Sequence, residues 1–383
     1  MEPKIRFKGF EGEWKASIIG DFCSVSIGEF VIKTKQNDNA PYPVYNGGSS
    51  YTGFYENYNQ EGPKVIVSAR GANAGFVNYC KKNFWAGNSC YSIATKDNRN
   101  LKFLYHCLKK NQSTYLNNQQ AANIPSISKK DIQETILMMP KSFEQKAIAS
   151  YFTSIDSQIS AATSRLASLK QMKAASLQAM FPQEGETVPK IRFKGFEGEW
   201  KKVSFKDFTF HAGTKNRDNL PLESYSISNE FGFIPQNEQF ENGGTMTQAD
   251  KRMYYIVSPN SFAYNPARIN VGSLGYYEGK EDVIVSSLYE VFKTDDTICD
   301  KFLLYWFKTD IFQKMIEQFQ EGGVRLYFFY DKMCKCSLMR PSLAEQQAIA
   351  SYFTSLDRQI SLQSQRLEKL KQIKSACLDK MFV

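Results

Sequence analysis

Apolar residues recur at alternating steps of three and four in two stretches of the chain, residues 144–181 and 345–382. This heptad spacing predicts long helices that each carry one apolar stripe, as in a coiled coil. The stripe consists of Ile148, Phe152, Ile155, Ile159, Ala162, Leu166 and Leu169 in the first stretch, and of Ile349, Phe353, Leu356, Ile360, Leu367, Leu370, Ile373 and Met381 in the second. Neither stretch contains Pro or Gly, so each helix is expected to run about 55 Å.

An exposed apolar stripe needs a partner, and the two helices carry matching stripes. We therefore predict that they pair with each other, antiparallel if the two halves of the chain are related by an internal two-fold axis. That arrangement would be a rod with one globular domain at each end. The alternative is that each helix covers only its own domain.

The helical stretches belong to a longer internal repeat. The thirteen residues PKIRFKGFEGEWK occupy positions 3–15 and recur letter for letter at 189–201, and the helical stretches share 24 identities over 38 aligned positions. The segments between these parts, 16–143 and 202–344, have diverged. The chain is therefore a duplication that retained its framework while its middle segments changed.

The two middle segments are predicted to be mixed α/β domains. Residues 64–68 and 91–95 resemble strands, and residues 101–110 have the spacing of a short amphipathic helix. Glycines punctuate the loops between them. The expected fold class is therefore α+β, with two mixed α/β domains separated by two long antiparallel helices that form a coiled coil with pseudo-two-fold symmetry.

Each middle segment contains a loop in which an Arg and an Asn lie near glycines. These side chains commonly recognise guanine and adenine edges in the major groove, and glycine lets the backbone approach a ligand. The candidate DNA-binding residues are Lys33, Lys35, Asn46, Ser49, Tyr51, Arg70, Asn73, Lys215, Asn216, Arg217, Tyr264, Asn265, Arg268 and Asn270. The alternative for Arg70 and Arg268 is a structural ion pair within the loop, and for any single Lys it is a solvated surface position.

Composition narrows the class of protein. The 383 residues suffice for two or three domains, and 42% apolar content with 14% aromatics predicts packed cores. No apolar run is long enough to span a bilayer and no signal peptide is evident, so a cytoplasmic location without membrane contact is expected. The eight scattered cysteines are expected to be reduced and structural.

The net charge of +9 suggests a nucleic-acid partner, but it is unevenly distributed. Residues 1–140 hold 17 basic and 11 acidic residues, whereas residues 189–340 hold 20 of each. We therefore expect the first domain to bind DNA more tightly and with a steeper salt dependence.

Motifs for catalysis are missing from the sequence. It has no phosphate-binding Gly-x-x-x-x-Gly-Lys-Ser/Thr loop and no Gly-x-Gly-x-x-Gly, and its two histidines leave little room for a hydrolytic triad or a metal site. Asn265-Pro266-Ala267-Arg268 lacks the second Pro and the aromatic of the amino-methyltransferase motif that it partly matches. The pattern favours recognition over catalysis.

The duplicated thirteen-residue motif, the Glu-Gln-x-Ala-Ile-Ala helix starts and the divergent middles together resemble the specificity subunit of type I restriction-modification systems. The resemblance implies a first target recognition domain at 1–143, a helix at 144–181, a linker with the second motif at 182–201, a second recognition domain at 202–344 and a helix at 345–383. It implies binding of a bipartite, non-palindromic double-stranded DNA target, one half-site per domain.

The same resemblance implies the partners and the chemistry. Two modification (methyltransferase) subunits would dock around the helices, and restriction (motor and nuclease) subunits would complete the enzyme. The chain itself would supply no catalytic residue and bind no cofactor, whereas S-adenosylmethionine would belong to the modification subunits and ATP with Mg²⁺ to the restriction subunits. Two alternatives stay open: a coiled-coil scaffold that does not bind DNA, and the detached recognition half of a single-chain methyltransferase.

If the helices set the distance between two reading domains, inserting one heptad into both should lengthen the unread spacer of the target and leave its half-sites unchanged. Two heads on a rod of about 55 Å would engage DNA segments of the order of one helical turn apart, since DNA repeats about every 34 Å along one face. Sequencing of the methylated sites measures both quantities. Altered half-sites with an unaltered spacer would contradict the prediction.

Overall fold

The computed structural model describes residues 2–117, 125–239 and 250–383. The chain forms two compact units, which we call unit 1 (Met1–Ser164 with Ser364–Val383) and unit 2 (Arg165–Gln363). Each unit contains one middle segment, the beginning of one long helix and the end of the other. None of the helices in the described residues has the length and apolar content needed to cross a membrane.

Unit 1 is built from short strands and helices that lead into the first long helix. Its elements are β1 (Lys15–Ile18), α1 (Ile19–Phe22), β2 (Cys23–Ile27), β3 (Tyr42–Tyr45), β4 (Gly53–Tyr55), β5 (Lys64–Ser68), β6 (Val77–Cys80), β7 (Trp85–Ala86), β8 (Cys90–Thr95), α2 (Leu101–Lys110), α3 (Gln112–Asn117), α4 (Lys129–Gln133), β9 (Ile136–Met139) and the first part of α5 (Ser142–Ala179).

The main sheet of unit 1 is antiparallel, with the strand order β2, β8, β5 and β6. A smaller sheet has the order β4, β3 and β7, and β1 pairs with β9. Helix α2 begins where the Asn100 side chain accepts hydrogen bonds from the backbone N–H groups of Lys102 and Phe103, both at 3.0 Å. Its Phe103 and Leu104 then pack in one core with the inner face of β5.

Unit 2 repeats this plan with more strands. Its elements are β10 (Lys201–Ser204), β11 (Thr209–His211), β12 (Thr214–Lys215), β13 (Ser224–Ser228), β14 (Gly232–Pro235), α6 (Gln236–Gln239), β15 (Tyr255–Val257), β16 (Ser261–Tyr264), β17 (Leu274–Tyr277), β18 (Val283–Val285), β19 (Glu290–Thr294), α7 (Asp300–Trp306), α8 (Asp310–Phe319), α9 (Tyr330–Met333), β20 (Ser337–Arg340) and the first part of α10 (Leu343–Met381).

The sheets of unit 2 correspond to those of unit 1. The order β11, β19, β16 and β17 matches the four-stranded sheet, and β10 pairs with β20 as β1 pairs with β9. The smaller sheet is enlarged to five strands, in the order β12, β15, β18, β13 and β14. The expected α+β class is therefore confirmed, and the divergence of the middle segments includes added strands.

A phenylalanine from the end of a long helix completes the core of each unit. In unit 1, Phe382 lies 5.3 Å from Phe103 and 5.6 Å from Phe152, measured between ring centroids. Because Phe382 follows α10, the second helix contributes to the core that surrounds the first middle segment. The alternative that each helix covers only its own domain is therefore wrong.

Unit 2 has the matching arrangement. Phe181, which follows α5, lies 5.4 Å from Phe302 and 6.2 Å from Phe353 between ring centroids, and it is fully buried. The Met-Phe pair at the end of each helical repeat thus fills a core, and its phenylalanine lies beyond the end of the helix. This explains why α5 and α10 end near Ala179 and Met381 while their repeats continue to Phe181 and Phe382.

The thirteen-residue motif is fixed to the start of a long helix by a buried ion pair. In unit 1, Arg6 donates to both carboxylate oxygens of Glu144 at 2.7 and 2.8 Å, and Glu144 is 2% exposed. The hydrogen bonds to Glu144 raise the pKa of Arg6. In unit 2, Arg192 makes the same two contacts with Glu345 at 2.7 and 2.8 Å. The paired charges explain the repetition of these residues, since an unpaired buried carboxylate is costly.

The helices run antiparallel where they meet within each unit. In unit 1, Tyr151 of α5 contacts Cys377 of α10 at 3.3 Å, and Asp156, further along α5, pairs with Lys374 at 2.6 Å. The contacts advance along α5 and retreat along α10, so the predicted antiparallel pairing is confirmed there.

The helix contacts of unit 2 are those of unit 1 with the helices exchanged. Lys173 of α5 pairs with Asp357 of α10 at 2.5 Å, and the hydroxyls of Ser176 and Tyr352 lie 2.9 Å apart. The sequence repeat therefore extends to individual contacts within each unit.

Most predicted elements occur near their predicted positions. The strand 64–68 and the helix 101–110 are found with those bounds, and the strand predicted at 91–95 begins at Cys90. The long helices begin at Ser142 and Leu343, each two residues earlier than the repeat suggested. They start directly after Pro140-Lys141 and Pro341-Ser342, because proline disfavours helix at the residue before it but not after it.

Truncation of Phe382 should destabilise unit 1, although the residue lies far in sequence from the first middle segment, whose core it completes. Phe382→Ala should lower the free energy of unfolding by about 3–5 kcal/mol, the usual cost of deleting a buried phenylalanine ring. Hydrogen exchange followed by mass spectrometry should show lost protection in α2 and in the beginning of α5. Phe181→Ala should produce the equivalent loss in α7 and the beginning of α10, and the exposed Leu362→Ala should produce neither.

Candidate nucleic-acid interface

Two loops of unit 1 that carry predicted contacts pack backbone against backbone. The Ser68 hydroxyl donates to the Gly48 carbonyl at 2.8 Å, which joins the loop 46–52 to the loop 69–76. Gly47 has φ +78°, and a Cβ there would lie 2.9 Å from the Arg70 carbonyl oxygen. Only glycine suits this position. The structure therefore brings Ser49 and Tyr51 into the neighbourhood of Arg70.

The turn that carries Lys33 and Lys35 is attached to the same region. The backbone N–H of Asn37 donates to the Phe54 carbonyl at 3.1 Å, and the Gln36 side chain packs against Gly53. The Tyr51 ring lies 5.0 Å from that of Phe54, measured between centroids. Three neighbouring segments of unit 1 thus hold its seven predicted contact residues.

The seven predicted contact residues of unit 1 differ in how far their side chains are exposed. The side chains of Lys33, Lys35, Ser49, Tyr51 and Arg70 are exposed. By contrast, the Asn46 side chain is half-buried and accepts a hydrogen bond from the Ser89 backbone at 3.2 Å, and Asn73 is also half-buried. The exposed residues form the candidate surface, and Asn46 shapes the loop beneath it.

The guanidinium of Arg70 has no partner in the part of the chain that the structure describes: neither a hydrogen bond nor an ion pair engages it. Burial raises the pKa of the half-buried Tyr91 hydroxyl, and the positive charge of Arg70 acts in the opposite direction. The alternative of a structural ion pair for Arg70 is therefore not supported, and its five N–H donors are available to a ligand.

The corresponding loop of unit 2, residues 265–272, is also rigid at its base and open at its tip. The Asn265 side chain accepts a hydrogen bond from the Ala267 backbone at 3.0 Å, and Gly272 ends the loop with φ +89°. Arg268 and Asn270 are exposed, and no ion pair or side-chain hydrogen bond of Arg268 occurs within residues 2–117, 125–239 and 250–383. Asn265 therefore shapes the loop, and Arg268 is free at its surface.

A hairpin loop at 321–327 lies beside the Arg268 loop and was not predicted. The backbone groups of Glu321 and Tyr327 exchange hydrogen bonds of 2.9 and 2.8 Å, and the Phe328 N–H donates to the Pro266 carbonyl at 3.0 Å. At the tip, Val324 is fully exposed and Arg325 is exposed as well. The Gly322-Gly323 pair was the available sequence signal, because glycines there allow the sharp turn.

Two predicted contact residues of unit 2 are buried and cannot reach DNA in this structure. Asn216 is 1% exposed because its side chain binds the Leu220 backbone twice, accepting at 2.9 Å and donating at 3.1 Å. Tyr264 is 0% exposed because both faces of β16 are covered and all four of its residues are buried. The prediction that these two side chains contact DNA was wrong, since local turn and strand geometry takes both inward.

The residues on either side of Asn216 are more exposed than Asn216 itself. Lys215 is half-buried, with its ammonium 3.0 Å from the Met253 carbonyl and 3.7 Å from the centroid of the Tyr255 ring. Arg217 is exposed. Within the described residues, no hydrogen bond or ion pair joins this turn to the loop 265–272, so the contacts do not unite the unit 2 candidates as they unite those of unit 1.

The histidine of unit 1, His106, lies in the core and has a lowered pKa. His106 is buried against Phe152 and Tyr105, and this burial lowers its pKa to about 3. A histidine with so low a pKa is neutral near pH 7 and serves poorly as a general base. In the residues that the structure describes, no three His, Cys, Asp or Glu side chains lie close enough to hold a metal ion, and all eight cysteines are free thiols.

The two units share a common framework, and each presents exposed basic side chains on a loop bounded by glycine. The family model described as "Type I restriction modification DNA specificity domain" matches residues 11–171 and 198–372. The chain belongs to this family. Each matched range lies within one of the two repeats.

Similar proteins agree with this assignment. A candidate type I specificity subunit of Mycoplasma pneumoniae is 23% identical over 162 residues, or 42% of this chain and 43% of that protein. Another, from Mycoplasma genitalium, is 22% identical over 227 residues, or 58% of this chain and 59% of that protein. The alignments thus span about half the length of these relatives.

Solved structures share the fold. The type I restriction-modification S subunit of M. genitalium superposes with a TM-score of 0.69 and 17% identity, covering 100% of this chain and 99% of that one. A chain from a structure concerning complex assembly and conformational transition of a type I system has a TM-score of 0.52 and 12% identity, with 97% and 98% coverage. At these identities the likeness concerns the fold alone.

Asn216 and Asn270 should respond differently to truncation, although both were candidate contacts. Asn216→Ala removes two hydrogen bonds to the Leu220 backbone and should lower the free energy of unfolding by about 1–3 kcal/mol. Asn270→Ala alters an exposed side chain and should stay within about 0.5 kcal/mol of the parent. Urea denaturation of the two variants measures this difference, and equal effects would contradict the structural role of Asn216.

Proposed function

We propose that the chain is the sequence-reading subunit of a type I restriction-modification enzyme. It binds a bipartite, non-palindromic target in double-stranded DNA, with one half-site for each unit. The reading surface of unit 1 consists of Lys33, Lys35, Ser49, Tyr51 and Arg70. That of unit 2 consists of Arg268, Asn270 and Arg325, and Arg217 on a separate turn is a further contact.

One observation carries the proposal: Arg70 and Arg268 occupy equivalent loops, both are exposed, and neither has a partner among the described residues. An arginine held on a rigid loop can form a bidentate contact with the O6 and N7 atoms of guanine. The surrounding loops differ between the units, so the two half-sites should differ as well. Lysines and hydroxyls at the edges of each surface suit phosphate contacts, which set the register of the protein on the duplex.

Catalysis is assigned to partner subunits in this proposal. Modification subunits would bring S-adenosylmethionine, and restriction subunits would bring ATP and Mg²⁺, while this chain would contribute no catalytic residue. The low pKa of His106 and the use of Glu144 and Glu345 in buried ion pairs support a binding role. A cytoplasmic location, where the DNA is accessible, is part of the same proposal.

Arg268→Ala should weaken discrimination at one half-site by about 1–3 kcal/mol if the guanidinium contacts a base. Arg70→Ala should do the same at the other half-site. Methylated-site sequencing with the assembled enzyme identifies the half-site affected, and competition binding measures the loss. Arg358→Ala, an exposed arginine on α10 where the other repeat has Ser157, serves as the matched control and should change neither half-site.

Salt dependence separates the proposal from its alternatives. DNA affinity should fall steeply as salt rises, because phosphate contacts release counterions. A scaffold that does not bind DNA would show no such dependence. A uniform loss across all sequences in Arg268→Ala would make that residue a phosphate contact instead of a base contact.

A further inference from the structure

The hairpin at residues 321–327 of unit 2 has a stem that is fixed at both ends. The backbone groups of Glu321 and Tyr327 exchange two hydrogen bonds across it. The next residue, Phe328, is fully buried in the core of unit 2, and its N–H donates to the Pro266 carbonyl. The stem is therefore held both by the core and by the loop to which Pro266 belongs.

The tip of this hairpin is also well defined. Gly322 has φ +138°, which favours glycine, and a Cβ there would collide with the Arg325 carbonyl oxygen. The turn places Val324 at the apex with 104% exposure, whereas Phe143, the next most exposed of the large apolar side chains that the structure describes, is 79% exposed. Leu326, close to the apex, is 46% exposed. The hairpin thus directs an aliphatic side chain outward from a constrained turn.

The fold does not explain an aliphatic residue at the apex. Turn positions are dominated by Gly, Pro, Asn, Asp and Ser, because these residues suit the turn conformations. With its whole side chain in water, Val324 contributes no apolar burial to unit 2. Burial of this side chain can stabilise the molecule only when a ligand removes it from water.

The charges near the apex suit an anionic ligand. Arg325 is exposed, and within residues 2–117, 125–239 and 250–383 no ion pair or side-chain hydrogen bond engages its guanidinium. The acidic residue of the stem, Glu321, is paired with Lys332 at 2.7 Å. Together with the free Arg268 of the neighbouring loop, the hairpin offers two guanidiniums that can bind phosphate or base oxygens.

We infer that Val324 inserts between two adjacent base pairs of the DNA bound by unit 2 and bends the duplex at that step. Proteins that kink DNA in this way insert an apolar side chain between bases, while basic residues bind the groove and the backbone. The inference rests on the proposed function and adds a contact that reads deformability instead of base edges. Because pyrimidine–purine steps unstack most readily, the half-site of unit 2 should place such a step at Val324.

A protein contact is the alternative role for the apex. The centre of a protein interface is a broad apolar patch that is poor in charged residues. Leu326 does add a second apolar side chain, but the residue between it and Val324 is the exposed Arg325. A narrow projection that combines an aliphatic apex with free arginines is better suited to a DNA groove.

The test uses the assembled enzyme and a duplex with its own target, in which 2-aminopurine replaces each purine of the unit 2 half-site in turn. That half-site is the one that Arg268→Ala alters. The fluorescence of 2-aminopurine rises when the base loses its stacking neighbours, so the parent should give a rise at the step where Val324 inserts. Val324→Ser should abolish this rise, and Val324→Leu should retain it. A rise that persists unchanged in Val324→Ser would overturn the inference.

Affinity measurements separate insertion from a simple surface contact. Val324→Ser should bind the intact duplex about tenfold more weakly than the parent, since unstacking is no longer compensated. Its melting temperature should not change, because the side chain supports no core. On a duplex nicked at the responsive step the difference should shrink to about threefold or less, because a nick lowers the cost of bending. An undiminished difference would count against insertion.

Leu362→Ser is the matched control, because Leu362 is an exposed aliphatic residue on α10 that lies outside the reading surface. It should leave both the fluorescence and the affinity unchanged. If Val324→Ser bends DNA as the parent does but no longer assembles with partner subunits, the apex is a protein contact and the inference is overturned.

Failure of this inference differs from failure of the proposed function. A parent enzyme that prefers its target while every base step of the half-site stays stacked would contradict the insertion of Val324 only. A parent enzyme without any sequence preference would contradict the proposed function itself.

Discussion

The buried ion pair between the thirteen-residue motif and the start of a long helix is the contact on which each unit depends. A carboxylate that is 1–2% exposed, as in Glu144 and Glu345, is tolerable only because an arginine satisfies both of its oxygens. The pair fixes the motif against the helix, and Phe7 or Phe193 then packs on a helix tyrosine. A hydrophobic residue could fill the same space, but it would not define the orientation of the motif as two parallel hydrogen bonds do.

The structure divides stability and recognition between different parts of the chain. The helices, the motif and the terminal Met-Phe pairs bury apolar surface and match closely between the units. The loops that carry Arg70 and Arg268 are anchored through backbone contacts and buried residues such as Ala74 and Ile269, whereas the two arginines are exposed. Substitutions at the loop tips can therefore alter what is read without loss of stability. This division explains how two recognition domains could diverge in sequence, and even in strand number, on one framework.

Sequence alone predicted the regular parts of the fold well and the side-chain roles less well. The heptad stripe and the letter-for-letter repeat determine long paired helices because burial of a periodic stripe allows few alternatives. Asn216 failed as a predicted contact because an asparagine can bind its own turn as readily as a ligand, and local sequence does not distinguish the two. Tyr264 failed because β16 is covered on both faces, which the sequence of a single strand does not reveal. The hairpin at 321–327 was missed because its importance comes from its position beside the Arg268 loop.

Unit 1 joins the two extremes of the sequence. The backbone N–H of Ile5 donates to the Lys380 carbonyl at 2.9 Å, and Phe382 completes a core that begins with Trp14. A chain emerging from the ribosome therefore has every residue of unit 2 before unit 1 can close, although most of unit 1 is synthesised first. Until then Phe103 and Phe152 lack a neighbour that covers them in the finished protein. The second domain to be translated is the first that can be completed, so the apolar surface of the first domain is exposed for longest during synthesis.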